Sequence, residues 1–403
     1  MSTSRDARDR TGRGAEGVCF ERLEGRMLLS GNVTAVVSGG NLTLAGDDQG
    51  NEILIDQVGV GADEVRISGV GTTVNDQAGP VTISGVTGNV LVRMGRGNDV
   101  VQIQDADLPG SLSVNDIRGN NELVLDAAAV AGGLRVAGKR GDQTVRVVNG
   151  SDVARDANID NDRGDNLTQV LASEVGGQLS ISGKQGVETV EMDGVIVGSH
   201  VKVRHLKGDT DVAINDADIG GHLMVLTGKD GDTVVLGGAS EVDGKVDVNI
   251  KDGGGSVDLA GTVCKLVKVL AGKGTDEIAL TGLTARRGVL IHTGDGEDLV
   301  TIDDVTVTRA LDVNTGKDDD TVLIETLGAD PGPRSQFNGN VQIGTFSGDD
   351  TVTVGVAGED GNSADFDGRL RLDGGPDTDT ADLLNNDNTF GGDLEIKNFE
   401  TTG

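Results

Sequence analysis

The chain has 403 residues, and its 66 Asp and Glu residues outnumber its 34 Lys and Arg residues, which gives a formal net charge of −32 at pH 7. Such an acidic chain lacks the basic surface that nucleic acids require. It contains six Phe but no Trp or Tyr, so it offers few aromatic rings on which bases or sugars could stack. Cys19 and Cys264 are the only cysteines, which argues against a disulfide framework. No apolar run is long enough to predict a transmembrane segment.

The first 31 residues differ from the rest of the chain. Residues 1–31 are Arg-rich and have no β pattern, so we expect a disordered leader. No long apolar segment follows the basic residues, which argues against a conventional secretory signal.

Part of this leader matches a known motif. The stretch Leu23–Ser30 (LEGRMLLS) resembles the N-terminal LEPR-XLL motif of planctomycete-type bacterial surface proteins, with Gly25 where the motif has Pro. The matching residues are Glu24, Arg26, Leu28 and Leu29. Such proteins are mostly large, repeat-rich and exported or envelope-associated. The resemblance therefore implies a bacterial protein of the cell envelope or extracellular space, exported through an unconventional N-terminal signal.

Beyond the leader, pairs of aliphatic residues separated by one residue recur about every 22 residues. A second pair lies 11 residues before each of them, and a third apolar position, which includes Cys264, lies seven residues after. Three inward contacts per repeat predict a three-sided coil. We therefore predict an all-β, right-handed parallel β-helix with about 22 residues and three short strands per coil; the handedness follows from the general preference of parallel crossovers. The pairs begin at Val101, Leu123, Val145, Thr168, Val190, Val212, Val234, Val257, Ile278, Val300, Val322 and Val352.

A single β-helix is expected to occupy residues 32–403. Residues 32–89 have less regular strand-like segments and are predicted to form irregular N-terminal coils. Residues 90–327 are predicted to form regular coils, and residues 339–403 the C-terminal coils. Residues 328–338 contain two of the five prolines and are predicted to form a loop insertion.

Three further columns repeat in the turn before each aliphatic pair. Gly occupies the position four residues before the pair in ten of twelve coils, Asp230 and Asp318 being the exceptions, which predicts a backbone with φ > 0. Lys or Arg is common one residue earlier, as at Lys273, and Asp or Glu is common two residues before the pair, as at Asp298. Because these columns lie within one turn, we expect them to form ion-pair ladders on the surface.

Calcium binding is an alternative function for these turns. Strings such as GRGNDVVQI and GDGEDLVTI partly resemble the RTX-type nonapeptide GGxGxDxUx, which binds calcium between successive coils. RTX motifs occur every nine residues, whereas one occurs here per 22. The resemblance implies Ca²⁺ as the candidate cofactor; otherwise no cofactor is expected. The candidate ligands, where acids are densest, are Asp276, Asp295, Asp298, Asp318, Asp319 and Asp320.

Catalysis is the least favoured function. Parallel β-helices host polysaccharide lyases and glycosidases, which need a carboxylate pair at a defined separation, but the repeated acidic column supplies such pairs without catalysis. His200 and His222 are expected to stack in successive coils and lack an evident third metal ligand. Cys264 is expected to be a core thiol.

We therefore expect a non-enzymatic, structural β-helical protein of the cell surface or extracellular space, adhesin-like or a matrix component. We expect it to have no catalytic residue, no nucleic-acid partner and no transmembrane segment. A calcium-binding RTX-like module is the first alternative, and a carbohydrate-active enzyme is the second. No oligomeric state follows from the sequence.

Overall fold

The computed structural model describes residues 31–115, 118–327, 334–356, 362–384 and 387–402. These residues form an all-β chain in which about 60% of the residues lie in strands, and successive coils stack in parallel into a β-solenoid of about 13 turns, ~22 residues apart. The predicted fold class, a parallel β-helix with about 22 residues per coil, is confirmed. No helix long and apolar enough to cross a membrane occurs in these ranges. The LEPR-like stretch Leu23–Ser30 lies outside them.

Each coil contributes strands of three kinds, which we call front, corner and back strands. The front strands carry the aliphatic pairs named above and form one sheet, whereas the corner and back strands form a second sheet. The front strands are Val100–Gln104, Asn121–Asp126, Gln143–Val148, Asn166–Leu171, Glu188–Asp193, Thr210–Asn215, Asp232–Gly237, Gly255–Ala260, Asp276–Thr281, Leu299–Asp303, Thr321–Ile324, Thr351–Val354, Thr380–Asp382 and Thr401–Thr402. The corner strands are Asp107–Leu108, Ala129–Val130, Asp152–Val153, Glu174–Val175, Ile196–Val197, Asp218–Ile219, Thr306–Val307, Ser335–Phe337, Ala364–Phe366 and Thr389–Phe390.

The back strands complete each coil. They are Val90–Arg93, Leu112–Asn115, Leu134–Gly138, Ala157–Arg163, Leu179–Gln185, Val201–His205, Leu223–Leu226, Ala310–Lys317, Val341–Gly344, Leu370–Asp373 and Leu394–Lys397. In three coils the corner and back strands merge into one strand, namely Glu241–Lys251, Val263–Ala271 and Thr284–Asp295. From Val90 onwards the chain thus passes repeatedly from back strand to front strand to corner strand, as the three-sided coil predicts.

The strands of successive coils pair in register, so equivalent aliphatic side chains stack. Val101 pairs with Leu123 on the front face, and Leu112 pairs with Leu134 on the back face. Cys264 lies at the inward corner position and is 1% exposed. Because successive residues of a strand point to opposite faces, alternate residues line one continuous aliphatic core. Each buried aliphatic side chain contributes about 1.5–3 kcal/mol before the entropy of ordering is subtracted.

The N-terminal residues 32–89 form one coil and a set of antiparallel hairpins. Asn41–Ala45 and Glu52–Asp56 form the coil, because they pair in parallel with the first back strand and the first front strand. The remaining strands of this segment, three of which pair antiparallel, are Asn32–Ser38, Glu64–Gly69, Thr73–Val74 and Val81–Ser84. These hairpins cover strand edges that would otherwise be open at this end.

The C-terminal part of the segment 328–338, which was predicted to be a loop, contains a strand. Residues 328–333 lie outside the described residues, whereas Ser335–Phe337 is a corner strand paired with Thr306–Val307. Phe337 takes the inward corner position, and its ring stacks on Phe366 with a centroid distance of 5.1 Å. Phe366 stacks in turn on Phe390 at 5.5 Å, so an aromatic column replaces the aliphatic one in the last coils.

The glycine column lies in the turn that leads into each front strand. Its ten members have φ between +105° and +142°, and Asp318, one of the two exceptions, has a φ of +77°. The predicted positive φ is therefore confirmed for the ten glycines. The members are Gly97, Gly119, Gly141, Gly164, Gly186, Gly208, Gly253, Gly274, Gly296 and Gly348.

We predict that Gly296→Ala destabilises the solenoid by at least about 2 kcal/mol, because the residue has a φ of +142° and its Cβ would lie 2.2 Å from the carbonyl oxygen of Gly274. Gly231→Ala is the matched control, since that turn glycine has no atom within 4 Å of its Cβ position. Thermal unfolding followed by circular dichroism measures both. Equal melting temperatures for the two variants would contradict the role of the column.

Candidate functional site at the acidic corner

The six candidate metal ligands all lie where a back strand leads into the following front strand, a region that we call the acidic corner. Asp276, Asp298 and Asp320 lie at the entry to their front strands and are at most 3% exposed. Asp295, Asp318 and Asp319 lie earlier in the turn and are not buried. The structure therefore brings the six residues to one corner but separates them into an inner and an outer set.

The inner aspartates form a hydrogen-bonded ladder that continues towards the C-terminus. Asp298 Oδ1 accepts a hydrogen bond from the backbone N–H of Asp276 at 2.9 Å, and Asp320 Oδ1 accepts one from Asp298 at 2.9 Å. Asp350 and Asp379 repeat this contact with the preceding coil at 2.8 and 2.9 Å. Four carboxyls thus satisfy buried backbone donors of the coil before them, which ties successive coils together.

Buried threonines flank three of these carboxyls. Thr293, Thr315 and Thr345 lie five residues before Asp298, Asp320 and Asp350, and each hydroxyl is the side-chain hydrogen-bonding neighbour of that carboxyl. The threonine hydroxyls donate to backbone carbonyls of the following coil, as Thr293 Oγ1 does to Thr315 at 2.9 Å. The aspartate Oδ2 atoms receive no hydrogen bond from the described residues. A hydroxyl that already donates can only accept, so this geometry suits a protonated carboxyl that donates to the threonine.

The pKa values of the inner column are raised mainly by burial, and the threonine contacts lower those of Asp298, Asp320 and Asp350 by less. Burial, together with the neighbouring Asp298 carboxyl, raises the pKa of Asp276 to about 7. Burial also raises the pKa of Asp320 to about 7 and that of Asp350 to about 6. The pKa values of Asp298 and Asp379 are raised for the same first reason. A buried carboxyl with other carboxyls above and below it therefore keeps its proton to a higher pH than an exposed carboxyl does.

Amides take the same position in the N-terminal coils and make the same contact. Asn121 Oδ1 accepts a hydrogen bond from the Asp99 N–H at 3.0 Å, and Asn166 Oδ1 accepts one from the Gln143 N–H at 3.1 Å. An amide has the shape of a protonated carboxyl and carries no charge. The alternation of Asn and Asp in one column indicates that the position requires an acceptor for the backbone rather than a negative charge.

The outer aspartates have different partners. Asp295 lies between two lysines, with Lys317 Nζ 3.0 Å from its Oδ1 and Lys273 Nζ 3.6 Å from its Oδ2, and the contact with Lys317 is the main cause of its lowered pKa. Asp319 Oδ1 accepts a hydrogen bond from the backbone N–H of Asp349 at 2.8 Å. Asp318 occupies the glycine column. These residues therefore serve coil-to-coil contacts and turn geometry on the outside of the solenoid.

The expected ion-pair ladder between the basic and acidic columns does not form. Lys229 of the basic column pairs with Asp252 at 2.7 Å, and Lys273 and Lys317 pair with Asp295, whereas the acidic column is buried. The physical reason is the alternation of side chains between the two faces of a strand, which we call strand parity. Asp298, Val300 and Ile302 are spaced two residues apart, so all three point inwards. The parity of the acidic column with the aliphatic pair was the sequence signal for its burial, and the threonines five residues earlier were a second signal.

The arrangement does not by itself define a metal centre. Within the described ranges, no group of three or more His, Cys, Asp or Glu side chains is placed to hold a metal ion. Asp298, Asp320 and Asp350 belong to different coils, and each uses one carboxyl oxygen to accept a backbone hydrogen bond. The chemistry that the geometry supports directly is proton binding and backbone hydrogen bonding.

The histidines and the buried cysteine also have architectural roles. His200 and His222 stack with a centroid distance of 4.9 Å and an interplanar angle of 8°, as predicted. His200 Nδ1 accepts a hydrogen bond from the His222 N–H at 2.8 Å, and His222 Nδ1 accepts one from the Lys245 N–H at 2.9 Å. Burial raises the pKa of Cys264 to about 12, so its thiol is unreactive, as expected for the core.

Comparisons of the whole chain with protein-family models, with curated proteins and with solved structures found no match.

We predict that Asp320→Asn stabilises the protein at pH 8.5 by about 2 kcal/mol and changes little at pH 5. The pKa of Asp320 is raised to about 7 in the folded state, above the value of about 3.9 expected in the unfolded chain. The folded state therefore binds the extra proton between about pH 4 and pH 7, and the stability that this carboxyl contributes is lost as the pH rises through that range. Asparagine keeps the acceptor without the charge.

Asp319→Asn, on the exposed side of the same turn, is the matched control and should leave the pH dependence as in the wild type. Guanidinium unfolding at both pH values measures the effect. An Asp320→Asn variant whose stability follows the wild-type pH profile would show that this carboxyl is ionised in the folded state.

Proposed function

We propose that this chain is a non-enzymatic structural protein, an acidic β-solenoid rod of the bacterial cell surface or extracellular matrix. The observation that carries the proposal is the use of the acidic corner for coil-to-coil contacts. Of the six candidate ligands, Asp298, Asp319 and Asp320 accept backbone hydrogen bonds from an adjacent coil, and Asp295 pairs with lysines of the coils on both sides. Residues that make such contacts stabilise the stack of coils.

The surface of the rod supports the same role. The chain has a formal net charge of −32, and its lysines and arginines are spread over the outside in pairs such as Lys184 with Asp162. A high net charge favours solubility and keeps acidic polymers at a distance. The proposed location depends on the resemblance of Leu23–Ser30 to the LEPR-XLL motif, and an adhesin-like or matrix role follows from a repetitive rod at that location.

The structural role predicts an elongated monomer unit and a surface location. About 13 turns at about 4.8 Å each give a rod of roughly 60 Å, which small-angle X-ray scattering can measure. Intact cells of the source organism should lose an epitope-tagged chain on treatment with external protease. Retention of the tagged chain in the cytoplasmic fraction would overturn the proposed location, and turnover of any substrate in a broad polysaccharide panel would overturn the non-enzymatic role.

Calcium-dependent stiffening is a second candidate function. The observation that favours it is the set of buried carboxyl oxygens without a hydrogen-bond partner among the described residues, which includes the Oδ2 atoms of Asp298, Asp320 and Asp350. Calcium prefers several carboxylate and carbonyl oxygens, and the partial RTX resemblance points to the same turns.

Melting curves separate the two candidates. For the structural rod, we expect the same melting temperature in EDTA and in millimolar calcium, and Asp298→Asn should be tolerated in both. For a calcium module, calcium should raise the melting temperature by several degrees, and Asp298→Asn should abolish that rise. A calcium-dependent rise in melting temperature that disappears in the variant would therefore show that the inner aspartates form a metal site.

A further inference from the structure

A groove of about 360 Å³ lies on the outer surface of the last back strands. In the register of these strands Asp312 pairs with Gln342, and Asn314 pairs with Gly344. All four residues line the groove, and Gly344 leaves a gap in the row of outward-facing side chains between its neighbours on both sides. The ring of Phe346 fills part of this gap, since a Cβ on Gly344 would lie 3.3 Å from the Cε2 atom of that ring.

Phe346 combines an unfavourable backbone conformation with an exposed ring. It has a φ of +72°, a conformation that costs a bulky residue about 1–3 kcal/mol. Gly294, Gly316 and Gly375 take the equivalent position in neighbouring coils, with φ between +99° and +114°. The ring is nevertheless 53% exposed, so the strain is not offset by burial in the core. A strained and exposed aromatic residue at the edge of a groove indicates a contact with something outside the chain.

The polar side chains around Phe346 are available for a ligand. Asp312, Asn314 and Gln342 line the groove, and their side chains make no hydrogen bond within the described ranges. By contrast, Asp373 accepts hydrogen bonds from Arg371 at 2.7 Å and from Asn398 at 2.7 Å. The groove therefore combines one aromatic face with uncommitted donors and acceptors and with one carboxylate that is already neutralised.

We propose that this groove binds a carbohydrate, with a sugar ring stacked on Phe346 and its hydroxyls hydrogen-bonded to Asp312, Asn314 and Gln342. The C–H face of a sugar ring carries partial positive charge and matches the negative face of an aromatic ring. The arrangement of one apolar wall and a few polar groups is typical of small-molecule sites of this size. Because the one lining cation, Arg371, is paired with Asp373 and the chain is strongly acidic, the ligand is a neutral or amino sugar rather than a uronate. This inference goes beyond the structural role and does not depend on the proposed location.

The composition of the chain offers a direct test. With six Phe and no Trp or Tyr, a protein labelled with ¹³C in its phenylalanine rings gives a sparse aromatic NMR spectrum. The Phe346 signal is identified by its loss in Phe346→Gly. The probes are hexasaccharides of glucose, of mannose and of N-acetylglucosamine, added one at a time. At least one of them should shift the Phe346 signal and leave the Phe337 signal unchanged.

Phe346→Gly should lower the affinity for that hexasaccharide at least tenfold and should melt no earlier than the wild type, because it removes a strained residue. Asn314→Ala should weaken binding several-fold without unfolding the protein. Leu206→Gly is the matched control, since Leu206 takes the equivalent turn position in another coil and is 42% exposed; it should leave binding unchanged. The inference is overturned if none of the three hexasaccharides shifts the Phe346 signal, or if Phe346→Gly binds as tightly as the wild type.

Discussion

The structure depends on one constraint, the in-register stacking of coils whose strands alternate side chains between inside and outside. A residue two positions from an inward aliphatic side chain also points inwards. A residue about 22 positions along the chain lies directly above it, as Leu123 lies above Val101. Any polar group that parity turns inwards is therefore repeated coil after coil, and it must find its hydrogen-bond partner in an adjacent coil. The acidic corner is the place where this requirement is met.

Parity explains which parts of the structure the sequence could predict. The aliphatic pairs, the inward position of Cys264 and the positive φ of the glycine column follow from local periodicity, and the structure confirms them. The burial of Asp276, Asp298 and Asp320 follows from the same periodicity. When each column is considered separately, however, the charge of its residues predicts exposure, and this outweighed the inward direction that parity predicts. The expected surface ladder failed because the inner acids use backbone N–H groups, and not lysines, as their partners.

Other features depend on contacts between distant segments and were beyond local patterns. Ser335–Phe337 is a corner strand because Phe337 stacks on Phe366 of the next coil, although the residues before it are rich in Pro and Gly. The groove at Phe346 arises because Gly344 lies between Asn314 and Asp373 in the back sheet, and these residues come from three different coils. A sequence with few aromatic residues argues against sugar stacking in general, but a single exposed ring beside a groove suffices for one site.

The buried inner acids and the strained Phe346 differ in one respect: the chain itself offsets the cost of burying the acids but not the strain at Phe346. The inner acids lie where a proton or an amide can remove the cost of burial, and the N-terminal coils use Asn121 and Asn166 for the same contact. The column thus has a structural solution within the chain in both the N-terminal and the C-terminal coils. Nothing in the described part of the chain offsets the strain at Phe346, because its exposed ring gains little from burial. A glycine at this position would adopt the φ of +72° without strain. A residue that lowers the stability of its own coil, while its neighbours at Gly316 and Gly375 avoid that cost, is best explained by a contact that the isolated chain does not contain.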